Sequence, residues 1–219
     1  MIPLSPSTGM NYFPKNALKF IFLLILLDLA TRFWNAPREQ ILETFAFGPQ
    51  TTHPWLKLIS SSLLFPHIFS LLIHSLFFWA FAPLCIHRLG RWRFFLGVIL
   101  TSAFSLFSFY WVHSNYKTPI IAPEALFAGI LGMAMRFELW GATRTLVLGF
   151  GWLRVFDVPS YVLIFFYFFY LLLGNFFLPN FYTDAPMLYW IPFVSFLIGF
   201  AFAWLKIGHV EQDETVSES

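Results

Sequence analysis

Long apolar runs separated by short polar connections dominate the chain. Six segments hold few or no charged side chains, and each approaches the roughly 20 apolar residues that cross a lipid bilayer as a helix. These segments are residues 17–34, 58–84, 94–112, 120–135, 158–178 and 187–205. We therefore predict an all-α, polytopic membrane protein with six transmembrane helices.

The composition agrees with this class. Of the 219 residues, 58% are hydrophobic and only 11% are charged, whereas a soluble domain carries roughly 25% charged residues. The net charge of +2 is small and its basic residues are scattered, so we expect the lipid bilayer as a partner and no nucleic acid. Cys85 is the only cysteine, which excludes an internal disulfide.

The distribution of lysine and arginine predicts the orientation. With a cytoplasmic N-terminus, nine of the 13 basic residues lie on the cytoplasmic side, as the positive-inside rule requires. The nine are Lys15, Lys19, Arg88, Arg91, Arg93, Arg136, Arg144, Arg154 and Lys206. We predict that both termini are cytoplasmic, with an N-terminal segment over 1–16, a membrane domain over 17–206 and an acidic tail over 207–219.

Five motifs, in chain order, resemble the rhomboid family of intramembrane serine proteases. The first two are the second-helix run and the basic stretch after it, and the other three lie in the second half of the chain. They are residues 76–84, 88–94, 125–132, 158–161 and 189–200. The resemblance covers most of the chain from Phe47 to Trp204, and it implies a bundle of six transmembrane helices.

The same resemblance implies where catalytic residues belong. Rhomboid proteases use a serine at the start of the fourth helix and a histidine in the sixth, with an H-x-x-x-N pair in the second helix. In this sequence the serine position holds Glu124 and the histidine position holds Pro192, while the second-helix pair falls on Ser70 and His74. A proline ring neither donates nor accepts a proton, so the serine–histidine dyad is missing.

The leading interpretation is therefore a rhomboid pseudoprotease. The resemblance implies that such a protein binds transmembrane helices of other membrane proteins without cleaving them and alters their stability or trafficking. The binding surface is expected at a groove between the second and fifth helices. Four aromatic side chains of the fifth helix are predicted to line or flank it: Phe165, Phe166, Phe168 and Phe169.

Ionisable groups inside membrane spans are unfavourable and mark candidate sites. Asp28 and Arg32 are four residues apart and of opposite charge, which predicts an ion pair near the end of the first span. Glu124 follows a proline, as is typical of a helix start. His67 and His74 share a helix face, and we expect a hydrogen bond between His74 and Glu124.

Two other functions stay open at this point. An active protease would need Ser70, Ser75 or Ser195 paired with His67 or His74. A small proton-linked transporter would use Asp28, His74 and Glu124 as a relay. We expect no cofactor and no metal site, because a three-ligand pattern is absent from the sequence. The membrane is either a bacterial inner membrane or an internal eukaryotic membrane.

Overall fold

The structure, a computed structural model, is mostly helical. It describes residues 2–6, 15–33, 38–48, 53–65, 68–115, 119–138, 140–149, 152–177 and 190–205. The acidic tail predicted over 207–219 lies outside these residues.

Eight helices and three strands follow one another in these parts of the chain. The helices are α1 (Lys15–Phe33), α2 (Arg38–Phe45), α3 (Pro54–Leu63), α4 (Ile68–Leu89), α5 (Arg91–Val112), α6 (Pro123–Glu138), α7 (Ser160–Phe177) and α8 (Trp190–Trp204). The strands are β1 (Ile2–Pro6), β2 (Ala142–Gly149) and β3 (Trp152–Pro159). Each of the six predicted apolar segments therefore contains a helix.

The second predicted segment is two helices instead of one continuous span. Helix α3 ends at Leu63, Leu64 has extended backbone angles, and α4 begins at Ile68. The sequence explains this break, because the residue before a proline is disfavoured in the α conformation and Phe65 precedes Pro66. The apolar segment 58–84 is therefore interrupted and is not one continuous helix.

A three-stranded antiparallel sheet with the order β1-β2-β3 was not predicted. Strands β2 and β3 pair along their whole length, from Ala142 opposite Pro159 to Gly149 opposite Trp152. Their sequences are rich in valine, threonine and aromatic residues, which favour strands. The purely all-α class is corrected accordingly, and the predicted N-terminal segment contributes β1 to the folded body.

Helix α6 is the centre of the bundle. Most of its side chains are buried around its whole circumference, which is the pattern of a helix enclosed by others. Helix α8 packs along it most extensively, and α4 and α5 cover the other sides. Phe78, Phe81, Phe94 and Phe127 are among the largest fully buried side chains of the core.

Two of the described helices, α4 and α5, are long and apolar enough to cross a membrane. Helices α7 and α8 are apolar but shorter within the described residues. Helix α2 lies in the first connection, where it exposes Gln40 and Glu43 and turns Ile41 and Phe45 inward. This amphipathic arrangement is typical of a helix that lies at a membrane interface.

Candidate functional site

The starts of α6 and α8 meet at the centre of the bundle. The hydroxyl of Ser195 in α8 donates a hydrogen bond to the backbone carbonyl of Ala125 in α6. A Cβ atom on Gly199 would clash with the backbone of Gly129, and one on Gly132 would clash with the backbone of Phe196. Both glycines therefore permit an approach of the two helices that a larger residue would prevent.

This contact brings Glu124 and Pro192, which stand where the resemblance predicted a serine and a histidine, close to each other along α6 and α8. Glu124 directly precedes Ala125, and Pro192 lies one turn before Ser195. Glu124 is partly buried in the first turn of α6, where a carboxylate favours the positive end of the helix dipole. Pro192 is buried near the start of α8, and its ring supplies no base.

His74 is fully buried in α4, and its Nδ1 atom faces Ser70. This nitrogen lies 2.6 Å from the Ser70 backbone oxygen and 3.2 Å from the Ser70 hydroxyl. A carbonyl oxygen only accepts, so Nδ1 carries the proton and donates it to Ser70. This nitrogen is therefore unable to take a proton from the Ser70 hydroxyl, and the basic lone pair of the ring is on Nε2.

Aromatic rings surround His74 on several sides. The ring centroid of His74 is 4.7 Å from that of Phe127 and 5.7 Å from that of Phe65. It is 5.6 Å from the ring of Tyr167 and 6.5 Å from the ring of Tyr170, both in α7. The imidazole of α4 is thus held between the first turns of α6 and the middle of α7.

The hydrogen bond that we expected between His74 and Glu124 is not formed. Among the described residues, His74 Nε2 is buried without a hydrogen-bond partner, and so is the hydroxyl of Tyr167. Both His74 and Tyr167 are 0% exposed. Glu124 lies about one turn before Phe127 in α6, and the ring of Phe127 contacts the imidazole of His74.

The remaining predicted polar residues lie apart from this cluster or outside the described parts. Asp28 is buried, and its backbone carbonyl accepts a hydrogen bond of 2.8 Å from the Thr31 hydroxyl. The side chain of Arg32 and the whole of His67 lie outside the described residues, so the predicted ion pair and the face shared by the two histidines are not tested. The Ser75 hydroxyl is buried without a hydrogen-bond partner in the described structure.

An apolar cavity of about 470 Å³ lies between α7 and α8. Phe165 and Phe168 line it from α7, and Phe193 and Phe196 line it from α8. Phe166 and Phe169 do not line this cavity and are 45% and 44% exposed. The predicted groove between the second and fifth helices would lie between α4 and α7, where the ring centroids of Phe77 and Tyr167 are 5.0 Å apart.

Sequence reasoning missed the contribution of Tyr167 and Tyr170. Both lie in α7 among phenylalanines, three residues apart and so on one helix face. A hydroxyl within an apolar segment is itself a signal, because it needs a hydrogen-bond partner there. Of the residues that the structure describes, no three histidine, cysteine, aspartate or glutamate side chains are grouped to hold a metal ion.

Comparison of the chain with known proteins does not extend this picture. No protein-family description matches the sequence, no curated protein matches it, and no solved structure matches the fold.

Proposed function

We propose that this chain is a multi-pass membrane protein with a rhomboid-like bundle, and that it binds transmembrane segments of other membrane proteins without cleaving them. The bound segment would lie at the apolar cavity between α7 and α8. The observation that carries the proposal is the close contact of α6 with α8, with Glu124 and Pro192 at the two positions where a rhomboid protease has its serine and histidine.

The surface of α5 supports an integral membrane location. Trp92 and Trp111, near its two ends, are each 88% exposed, and they are about 28 Å apart along the helix at 1.5 Å per residue. That separation is close to the roughly 30 Å of a bilayer's hydrocarbon core, whose boundaries tryptophan prefers. Leu96, Ile99 and Phe104 are exposed between them, as a surface in contact with lipid requires.

The contact of α6 with α8 supports the rhomboid-like arrangement. In the family the catalytic residues come from the fourth and sixth helices, which must therefore be neighbours at their reacting ends. In this chain the hydrogen bond from Ser195 to Ala125 joins α8 to α6, close to Pro192 and Glu124. The proposal of six spans with both termini in the cytoplasm follows from this arrangement together with the positions of the basic residues.

The cavity supports binding of an apolar segment. Its lining comes almost entirely from hydrophobic and aromatic side chains of α7 and α8. Within a bilayer a second helix gains little from hydrophobic transfer, so its association depends on packing into a complementary surface. A concave surface with projecting phenylalanine rings offers such packing to the side chains of a partner helix.

Photocrosslinking tests where a partner binds. A benzoylphenylalanine replacing Phe196 in the cavity is expected to give discrete adducts in native membranes, joined to peptides from apolar segments of other proteins. The control is the same replacement of Phe104, which is 57% exposed on α5 and is expected to give no such adducts. Equal adduct patterns at the two positions, or none at Phe196, would contradict the proposal.

An active serine protease is the second candidate, because the Ser70 hydroxyl is 3.2 Å from an imidazole nitrogen. The direction of the Nδ1 hydrogen bond opposes proton transfer from that hydroxyl, so we expect no labelling by a fluorophosphonate probe. The measurement is in-gel fluorescence of the membrane protein and its Ser70→Ala variant. Labelling of the natural chain that Ser70→Ala abolishes would establish the protease and overturn the pseudoprotease proposal.

A further inference from the structure

We propose that one water molecule is bound inside the bundle between α4, α6 and α7, where it bridges the imidazole of His74 and the hydroxyl of Tyr167. This internal site is independent of whether the protein binds other membrane proteins.

The two principal partners are polar atoms that the protein itself leaves unpaired. His74 Nε2 and the Tyr167 hydroxyl are both buried, and neither has a hydrogen-bond partner among the described residues. Their rings are perpendicular, with centroids 5.6 Å apart. An unsatisfied polar group inside a membrane protein is more unfavourable than one beside water, and two such groups on adjacent rings indicate a shared partner.

The hydrogen-bonding capacities of the groups fit water. Because Nδ1 of His74 donates to the Ser70 carbonyl at 2.6 Å, Nε2 is an acceptor. The Tyr167 hydroxyl is free to donate. A water molecule that accepts from Tyr167 and donates to His74 Nε2 keeps one further hydrogen for a third acceptor. Buried waters typically make about three such bonds.

Alternative occupants fit less well. A metal ion needs several deprotonated ligands, and the described residues contain no group of three histidine, cysteine, aspartate or glutamate side chains. An apolar ligand would leave both polar atoms unpaired. Water alone of these satisfies a donor and an acceptor at the same time.

A measurement of thermal stability distinguishes a Tyr167 hydroxyl that has a water partner from one that has no partner, because the two cases change the unfolding midpoint differently. If the hydroxyl of Tyr167 has a water partner, Tyr167→Phe removes that hydrogen bond and leaves the water beside His74 with one partner fewer. The thermal unfolding midpoint then falls by about 2–4 °C. If the hydroxyl has no partner, removing it leaves the midpoint unchanged or raises it. The control is Tyr161→Phe, since Tyr161 is 42% exposed at the start of α7.

A double-mutant cycle tests whether the two groups share one partner. His74→Asn keeps a donor for the Ser70 carbonyl but lacks the Nε2 acceptor. The proposal expects Tyr167→Phe to have a clearly smaller effect in the His74→Asn protein than in the natural chain. Equal effects in both backgrounds, or a Tyr167→Phe variant as stable as the natural chain, would overturn it.

An experimental density map distinguishes a bridging water from a direct contact. At about 2 Å resolution the proposal expects a peak within hydrogen-bonding distance of both His74 Nε2 and the Tyr167 hydroxyl. A direct contact of these two atoms below about 3.2 Å, with no peak between them, would refute the water site even if the cycle shows coupling. The density map also tests the proposed water site if the His74→Asn variant fails to fold.

Discussion

At the scale of single residues, glycine sets how closely the central helices approach. Gly132 and Gly199 lie where the backbones of α6 and α8 meet, and the atoms that a Cβ would strike belong to rigid backbone. Gly97 in α5 is also crowded, but its neighbours are the ring of Phe202 and the sulfur of Met133. Side-chain ends move at low cost, whereas a helix backbone does not.

We therefore predict that the same substitution has different effects at Gly132 and Gly97. Gly132→Ala should lower the free energy of unfolding by about 1–3 kcal/mol through overpacking. Gly97→Ala should change it by less, because Phe202 can shift and alanine favours the helix. The measurement is denaturant unfolding in detergent micelles. A Gly97→Ala variant that loses as much stability as Gly132→Ala would contradict this explanation.

The residue scale also supports the proposal that the two positions predicted from the rhomboid resemblance hold no nucleophile and no base. Glu124 is positioned by its helix start and Pro192 by the first turn of α8. The nearest hydroxyl that joins the two helices, that of Ser195, is occupied with the Ala125 carbonyl. Because this hydroxyl donates its hydrogen to a backbone carbonyl, it is not placed beside a base that could activate it as a nucleophile.

At the scale of elements, proline and glycine determine where helices end. The interruption between α3 and α4 leaves α3 in the first connection and gives α4 the length of a membrane span. Gly90, with a φ of 78°, separates α4 from α5. A residue with a Cβ is strained at this angle, so glycine permits the sharp turn that makes α4 and α5 consecutive helices.

We predict that the two ends of α5 lie on opposite sides of the membrane. His87 and Ser114 are exposed before and after this helix, and the only native thiol, Cys85, is fully buried. Ser114→Cys should react with a membrane-impermeant maleimide on intact cells, whereas His87→Cys should react only after permeabilisation. The natural chain is the unlabelled control. Reaction of both variants on intact cells would contradict the proposed topology.

At the scale of the whole molecule, the sheet joins distant parts of the chain. Strand β1 comes from the N-terminus and pairs with β2, with Ile2 opposite Leu146 and Pro6 opposite Thr143. Strand β1 also lies against α4. The N-terminal residues thus support the β2–β3 hairpin between α6 and α7, and a two-stranded hairpin by itself is only marginally stable.

We predict that deleting residues 2–6 loosens this hairpin while the helices remain folded. Trypsin should then cleave faster at Arg144 and Arg154, because a protease needs locally unfolded chain. The helical circular dichroism signal should stay close to that of the natural protein. Cleavage at the exposed Arg88 serves as the internal control, since its rate should not change. Unchanged cleavage at Arg144 and Arg154 would contradict a supporting role for β1.

Much of the helical framework was predictable because apolar length is a local property. The segments 94–112 and 187–205 correspond closely to α5 and α8, since a run of apolar residues bounded by charges fixes a helix without reference to the rest of the chain. The break near Pro66 was predictable for the same local reason. The sheet was not, because the pairing of β1 with β2 joins residues far apart in sequence.

The candidate site was predictable only in part. His74, Ser70 and Glu124 were visible as polar residues in apolar segments, and the structure places His74 beside Ser70 and against Phe127, one turn after Glu124 in α6. The orientation of the His74 imidazole toward the Ser70 carbonyl, and the position of Tyr167 beside it, depend on how α4, α6 and α7 pack. The cavity between α7 and α8 likewise depends on how these two helices pack.

The sequence by itself determined that the chain is mostly helical, where its apolar helices lie and that Glu124 and Pro192 stand where the rhomboid resemblance predicts a serine and a histidine. These properties depend on residue type and local spacing alone. Tertiary structure decided which polar atoms are paired, where the cavity opens and that a sheet forms. Those outcomes depend on distances between helices that are remote in sequence, and they are set by a few close contacts such as that of Gly199 with Gly129.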